Sequence, residues 1–260
     1  MKLLTFEAEN EKKVGYLKDG NVYELPFSMK KALITNNLEE KQINCYSIKE
    51  VIVLPPIIPS KIVCVGLNYE NHASEINFSL PKEPTLFIKP SSSIIGHREK
   101  VIYPSMSKQV DYEAELAVII SKEAKFVSYK EVDQYIGGYT ILNDVTARDL
   151  QDEDVQWTRS KSFDTFCPIG PVIETDLDPD NQDITLKINS EVRQKGNTKD
   201  MIFSVRDLIV FISSIMTLNP GDIIATGTPE GVGSLKPNDR IRIEISGIGA
   251  LENQIISYTY

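Results

Sequence analysis

The sequence has few cysteines, no cluster of positive charge and no apolar run of membrane-spanning length. Cys45, Cys64 and Cys167 are far apart, so they predict neither a disulfide framework nor a zinc site. The net charge is -9 and no stretch is markedly basic, which argues against nucleic-acid binding because phosphate neutralisation needs clustered lysine and arginine. The N-terminus meets a charge before an apolar run develops. We therefore expect no membrane association and a reducing, cytoplasmic location.

The composition is that of an ordinary globular protein, with 41% hydrophobic and 25% charged residues in a chain of 260. Residues 1–53 contain short strand-like runs around the hairpin turn signal Lys18–Asn21, which predicts a small β-rich N-terminal domain. Three prolines in residues 54–60 predict a linker. Residues 61–260 then form the larger, catalytic domain.

Strand patterns dominate this larger domain. The continuous apolar run Lys61–Gly66 predicts a buried strand, and residues 184–188 and 240–246 alternate as half-buried strands do. Ser128 with Glu131 has the spacing of a capping box, which predicts a helix over residues 127–136. Ser204 with Asp207 predicts the start of a second helix. We therefore expect an α+β fold that is mostly β.

The stretch Asp111–Ile120 begins with carboxylates and ends in apolar residues, so it predicts a strand that enters a core. Side chains alternate along a strand, which places Asp111, Glu113 and Glu115 on one face. Asp144 lies near the end of another predicted strand. Oxygen-only ligands suit Mg²⁺, Mn²⁺ or Ca²⁺, and Mg²⁺ is the first choice among them. The alternative for the acidic stretch is a solvent-exposed strand end.

His72 and Glu75 are three residues apart, so on a helical turn their side chains can touch. A carboxylate beside an imidazole raises its basicity and fixes its tautomer, as a general base requires. The alternative is a surface pair without a catalytic role.

Two further stretches carry polar or flexible residues with the spacing of a site. Asp144, Arg148 and Gln151 fall at i, i+4 and i+7, which would place them on one helix face. Gly227 and Thr228 begin a segment with three glycines in seven residues, which permits close backbone approach to a ligand.

The chain from about Lys61 to its C-terminus resembles the fumarylacetoacetate hydrolase family. The resemblance rests on several short motifs that occur in the same order. These are Asn68 and Tyr69 with His72 and Glu75, then Phe87–Pro90, Asp111–Leu116, Asn143–Gln151, Lys161–Asp164 and Thr226–Gly233. Residues 1–53 are similar to the small extra domain of short bacterial and archaeal members.

This resemblance implies a rolled mixed β-sheet with few helices, and a homodimer. It also implies a role for each site residue. Glu113, Glu115 and Asp144 would hold Mg²⁺ or Mn²⁺, and His72 with Glu75 would be the catalytic dyad. Arg148, Gln151, Lys161 and Thr228, with Gly227 beside them, would contact the substrate's carboxylate and carbonyl oxygens. Lys161 would also stabilise a developing oxyanion during catalysis.

The larger animal enzyme carries a further metal-binding aspartate ahead of its histidine, and residues 65–69 offer no carboxylate. The chain therefore resembles the short branch, whose substrates are acylpyruvates and related 2-oxo acids. The implied reaction is hydrolysis of the C–C bond of an acylpyruvate through a metal-stabilised enolate, with water activated by His72.

Other reactions through the same metal-stabilised enolate remain open. Oxaloacetate would lose CO₂, and a substrate such as 2-hydroxyhepta-2,4-diene-1,7-dioate would undergo keto–enol or double-bond isomerisation. A non-catalytic protein that binds a metal or a dicarboxylate is the remaining alternative. The partner in each case is a small molecule.

Overall fold

The computed structural model describes residues 1–35, 37–70 and 81–257. Strands predominate in this part of the chain, which confirms the predicted mostly β fold. The strands are β1 (Lys2–Ala8), β2 (Glu11–Lys18), β3 (Asn21–Leu25), β4 (Cys45–Ser47), β5 (Ile52–Leu54), β6 (Ile62–Gly66), β7 (Thr85–Lys89), β8 (Ile94–Ile95), β9 (Lys100–Tyr103), β10 (Val110–Tyr112), β11 (Ala114–Ile120), β12 (Ile136–Asn143), β13 (Thr146–Ala147), β14 (Cys167–Glu174), β15 (Asp183–Ile188), β16 (Glu191–Asn197), β17 (Ile223–Ala225), β18 (Gly233–Ser234), β19 (Arg240–Ile245) and β20 (Gly249–Ser257).

The largest sheet is mixed and has the order β4-β3-β2-β1-β14-β12-β11-β17-β6-β7, with β5 on β1 and β8 on β14. Most neighbours are antiparallel, whereas β6 with β17 and β8 with β14 are parallel. All seven residues of β11 are buried, as expected of a strand covered on both faces. This central strand carries the acidic stretch into the core.

Two smaller sheets complete the fold. One has the order β13-β10-β18, and the other has the order β16-β15-β19-β20-β9. The five-stranded sheet alternates buried isoleucine and leucine with polar residues, and its apolar face packs toward β11, β12 and β14. The large sheet therefore has an apolar core on each face.

The α-helices in the described residues are short, apart from one. They are α1 (Met29–Ala32), α2 (Arg148–Glu153), α3 (Thr158–Lys161) and α4 (Val205–Ile215). The N-cap predicted at Ser204 is confirmed at the start of α4, where Ser204 and Asp207 form a capping box. No helix in the described part of the chain is long and apolar enough to cross a membrane.

The prediction of a helix over residues 127–136 is wrong. This segment holds a single 3₁₀ turn, Val132–Tyr135, before β12 begins at Ile136. The Ser128 hydroxyl donates to the Glu131 carboxylate at 2.5 Å, but this contact joins two side chains and does not form the predicted capping box. Ser213 of α4 accepts hydrogen bonds from the backbone N–H groups of Phe126 and Val127, and Phe126 has φ +50°, so the chain enters this segment in a non-helical conformation.

The N-terminal strands continue the large sheet. The predicted hairpin turn is confirmed between β2 and β3, with Asp19 and Gly20 at φ +50° and +78°, as a type I′ turn requires. β1 pairs with β14 through Lys2 and Leu3, so residues on both sides of the predicted linker share one sheet. The division at residues 54–60 stays a prediction.

Candidate metal centre and active site

Three acids from neighbouring strands meet inside the protein. Glu113 lies at the break between β10 and β11, and Glu115 is the second residue of β11. Asp144 follows β12, which pairs with β11 in a register that sets Ala114 opposite Asn143. One carboxylate oxygen from each acid lies within 4.8 Å of the others, and all three side chains are buried. The structure thus brings together the predicted metal ligands, whose role stays a prediction.

Asp111 does not join this cluster. The strand predicted over residues 111–120 breaks at Glu113, so β10 and β11 belong to different sheets. The Asp111 carboxylate instead accepts a hydrogen bond from Arg148 Nε at 2.9 Å and another from Ser234 Oγ at 3.0 Å. Asp111 therefore orients the arginine at the edge of the site.

Two buried lysines pair with the acids. Lys161 Nζ, at the end of α3, lies 3.0 Å from Glu113 Oε2 and 2.6 Å from Asp144 Oδ2. Lys89 Nζ, at the end of β7, lies 2.6 Å from Asp144 Oδ1 and donates to the Val145 carbonyl at 3.1 Å. Charges this deep are stable when they are paired and hydrogen-bonded, which these lysines are.

Arg148 begins α2 and connects the acids to the cavity. Its guanidinium contacts Glu113 Oε1 at 2.5 Å and also donates to the Gln151 side chain one helical turn later. The predicted helical face is correct for Arg148 and Gln151, but Asp144 precedes β13 and is not helical. Asp144 reaches the site through the pairing of β12 with β11 and not through helical spacing.

The pKa values of Glu113 and Glu115 are shifted in opposite directions. Burial raises the pKa of Glu113, but the charges of Lys161 and Arg148 outweigh burial and hold this pKa well below its usual value. Burial, reinforced by the charges of Asp144 and Glu113, raises the pKa of Glu115 well above its usual value. Burial lowers the pKa of Lys161, yet the charges of Asp144 and Glu113 outweigh it and hold this pKa above its usual value.

The donor set fits a divalent cation. Glu115 accepts a hydrogen bond from the Gly227 amide at 2.9 Å and forms no ion pair with any of the described residues. Among the described residues, the acids Asp111, Glu113, Glu115 and Asp144 face three cations, Lys89, Arg148 and Lys161, so one negative charge of this set stays uncompensated when all are ionised. A hard divalent cation would supply the missing charge through oxygen ligands alone.

Gly227 and Thr228 lie on the loop after β17, against Glu115. Gly227 has φ +92°, and a Cβ there would lie 2.9 Å from the Cβ of Asn68. The Asn68 side chain fixes this approach, because it donates to the Thr226 carbonyl at 2.8 Å and accepts from the Phe203 amide at 2.8 Å. The Gly227 amide is thus bound to a carboxylate, and its predicted contact with substrate remains untested.

A cavity of about 550 Å³ opens over this cluster, within the range of small-molecule sites. The predicted site residues that line it are Glu113, Glu115, Arg148, Gln151, Lys161 and Thr228. His72 and Glu75, the predicted catalytic dyad, lie outside the described residues.

Two structural residues were missed from the sequence. Lys89 is a lone charge in an otherwise apolar strand, and that contrast was the available signal for a buried ion pair. Gln194 is buried in β16 and donates to Thr228 Oγ1 at 2.8 Å and to the Pro229 carbonyl at 2.9 Å, while accepting from the Ala114 amide at 3.0 Å. Nothing in the polar run around Gln194 marks it as different from its neighbours.

Known proteins are similar to this chain in sequence and in fold. Residues 61–256 match the family model described as fumarylacetoacetate (FAA) hydrolase C-terminal. The uncharacterized protein MJ1656 of Methanocaldococcus jannaschii is 54% identical over 220 residues, which span 85% of this chain and 90% of that protein. Oxaloacetate tautomerase Fahd2a, mitochondrial, of Rattus norvegicus is 43% identical over 219 residues, spanning 80% and 70%. The crystal structure of 2-hydroxyhepta-2,4-diene-1,7-dioate isomerase from Mycobacterium marinum has a TM-score of 0.91 and 36% identity, with 100% of each chain covered.

Proposed function

Because this chain belongs to the fumarylacetoacetate hydrolase family, we propose that it is a divalent-cation-dependent enzyme that hydrolyses the C–C bond of acylpyruvates. The supporting observation is the buried cluster of Glu113, Glu115 and Asp144 beside Arg148 and Lys161, which opens into a cavity. Water and R-CO-CH₂-CO-COO⁻ would give a carboxylic acid and pyruvate.

The acidic cluster would hold the cation, with Mg²⁺ preferred over Mn²⁺ as the harder ion. When bound, such a cation supplies Lewis-acid stabilisation of negative charge on substrate oxygens. The three carboxylates would supply part of the oxygen ligands of such a cation and would leave positions open for water or substrate. Glu115, which forms no ion pair with the residues that the structure describes, is the acid that would depend most on the ion.

The surrounding residues would bind and orient the 2-oxo acid end. Arg148 has a forked guanidinium suited to a carboxylate, and Asp111 and Gln151 hold it at the cavity wall. Lys161 keeps its proton, since its pKa is raised, so it can donate to a developing oxyanion. His72, oriented by Glu75, would take the proton from water as general base.

A second candidate reaction is keto–enol tautomerisation or double-bond isomerisation of a 2-oxo acid. It is favoured by the names of two similar proteins, an oxaloacetate tautomerase and a 2-hydroxyhepta-2,4-diene-1,7-dioate isomerase. The same residues would bind the 2-oxo acid, and proton transfer would replace the attack of water. Decarboxylation of oxaloacetate would likewise need no water.

The test measures pyruvate release from acetylpyruvate and the keto–enol absorbance change of oxaloacetate, each with Mg²⁺, with Mn²⁺ and with EDTA. Cation-dependent pyruvate release supports hydrolysis. Cation-dependent tautomerisation without pyruvate release from acetylpyruvate would replace hydrolysis with the second candidate. Activity that EDTA leaves unchanged would contradict both.

Variants separate the roles. Glu115→Gln should lose cation binding by calorimetry and more than about 100-fold of activity, beyond the loss typical of residues outside the ligand shell. His72→Ala should lose about 10²- to 10⁴-fold in rate while still binding the cation. Glu123→Gln, an exposed acid beyond the end of β11, is the control and should match the wild type.

A further inference from the structure

The cavity has two chemically different walls. One wall holds the acidic cluster with Arg148 and Lys161, and the other is apolar, with Val65, Leu67, Phe87, Trp157 and Val232. The proposed function uses the polar wall and leaves the apolar one without a role.

The apolar wall contains two aromatic rings, Phe87 and Trp157, and Phe87 adjoins the polar wall. The rings of Phe87 and Trp157 meet edge to face, with centroids 5.3 Å apart and planes at 75°. Lys161 Nζ lies 4.9 Å from the centroid of the Phe87 ring. Phe87 therefore lies against the Lys161 ammonium on one side and against Trp157 on the other.

The position of Trp157 depends on a glycine. A Cβ on Gly66 would lie 3.1 Å from the indole ring, so the ring rests directly on the backbone at the end of β6. The next residue, Leu67, has φ +59°, a conformation that is costly for a bulky side chain and tends to occur at ligand sites. Both rings are half-buried and still present apolar surface to the cavity.

The charges of the described lining residues disfavour a second acidic group on the ligand. Arg148 and Lys161 are each paired with two carboxylates. The remaining charged residue of the lining, apart from the site acids, is Asp152, which is exposed and negative. A distal carboxylate would thus meet apolar rings and a like charge.

We propose that Phe87 and Trp157 bind the R group of the substrate and select a planar, apolar R group, such as phenyl, over methyl or carboxylate. This inference rests on the proposed function, because it takes the 2-oxo acid end to lie at the acidic cluster. Aromatic contacts of this kind increase affinity by about tenfold.

The chain contains one tryptophan, so fluorescence excited selectively at tryptophan reports on this wall alone. In the Mg²⁺-loaded protein, saturating phenylpyruvate should change Trp157 emission, and calorimetry should show it binding about tenfold more tightly than pyruvate. That affinity ratio should fall toward one in Trp157→Ala and stay near ten in Trp157→Phe. Phe126→Ala, which removes an aromatic side chain that is 71% exposed, is the control and should keep the wild-type ratio.

Gly66→Ala provides a test that retains the tryptophan, because the added methyl group displaces the ring. Like Trp157→Ala, it should lower the ratio of the affinity for phenylpyruvate to the affinity for pyruvate. In turnover, the ratio of kcat/KM for benzoylpyruvate to that for acetylpyruvate should fall at least fivefold in both variants, and oxaloacetate should be the poorest of the three in the wild type.

The inference would be overturned if the phenylpyruvate-to-pyruvate affinity ratio were the same in the wild type, Trp157→Ala and Gly66→Ala. An equal loss of turnover on every substrate would also overturn it, because such a loss indicates a structural role for the ring. Discrimination by Trp157 in binding, without turnover of any substrate, would support the aromatic wall and contradict the proposed reaction.

Discussion

At the scale of single residues, the site is held by ion pairs whose members are buried, apart from the half-buried Arg148. Lys89 is the clearest case, because it touches Asp144 and a backbone carbonyl but does not line the cavity. Its ammonium offsets one carboxylate and fixes the direction of its oxygen. It acts on the site through Asp144.

We expect Lys89→Met to destabilise the protein by about 3–5 kcal/mol, because it leaves Asp144 with one partner fewer in a dry environment. Urea unfolding measures this loss. In the double variant Lys89→Met, Asp144→Asn, removal of the Asp144 charge should recover part of the stability. Lys122→Met, at an exposed position after β11, is the control and should have an effect within about 0.5 kcal/mol. A single variant as stable as the wild type would show that the pair contributes nothing.

The residue scale also shows what a sequence can reveal about a site. Glu113, Glu115 and Asp144 were predicted to act together because strand alternation and oxygen chemistry are local rules. Gln194 could not be found, since its three hydrogen bonds reach residues 34 to 80 positions away. Contacts of that range depend on tertiary packing, which periodicity does not encode.

At the scale of elements, long-range ties decide where strands and helices begin. The helix and capping box predicted over residues 127–136 are absent, and α4 binds the backbone of Phe126 and Val127, just ahead of the expected cap. Long-range contacts also join the parallel strands β6 and β17. Asp222, immediately before β17, accepts from the Ser60 amide at 3.0 Å, the Ser60 hydroxyl at 2.6 Å and the Asn219 amide at 2.8 Å, and it also binds the Lys61 ammonium.

Asp222→Asn should cost about 1–3 kcal/mol at pH 7, because the amide nitrogen cannot accept these hydrogen bonds. Burial raises the pKa of Asp222, but bonds from Lys61 and Ser60 outweigh burial and lower this pKa. A lowered pKa in the folded state means that the carboxylate stabilises the protein above the unfolded value of about 3.9, and that this contribution is lost as the pH falls further.

The stability difference between wild type and Asp222→Asn should therefore shrink below about pH 4 in urea unfolding. Asp176→Asn, an exposed acid, is the control and should show no such trend. A difference that stays constant from pH 7 to pH 3 would mean that the ionised carboxylate is not what joins the two strands.

At the scale of the whole molecule, the mostly β class followed from alternation and was confirmed, whereas the relation between residues 1–53 and the rest did not follow from any local signal. The prolines at 54–60 suggested a boundary, yet β1 pairs with β14. Leu3 is fully buried in an apolar cluster that also contains Leu142, Ile169 and Ile173. A shared core predicts shared unfolding.

Leu3→Ala tests this coupling, because it creates a cavity in the N-terminal strand while Trp157 reports from the other side of the predicted linker. If the core is shared, the variant should lower the unfolding free energy measured by Trp157 fluorescence by about 2–5 kcal/mol, with the transition still coincident with that seen by circular dichroism. Ile34→Ala, in the same N-terminal region but 49% exposed, should leave the fluorescence transition nearly unchanged. Were residues 1–53 an independent folding unit, Leu3→Ala would shift the circular dichroism signal of that unit alone, and the Trp157 transition would stay where it is in the wild type.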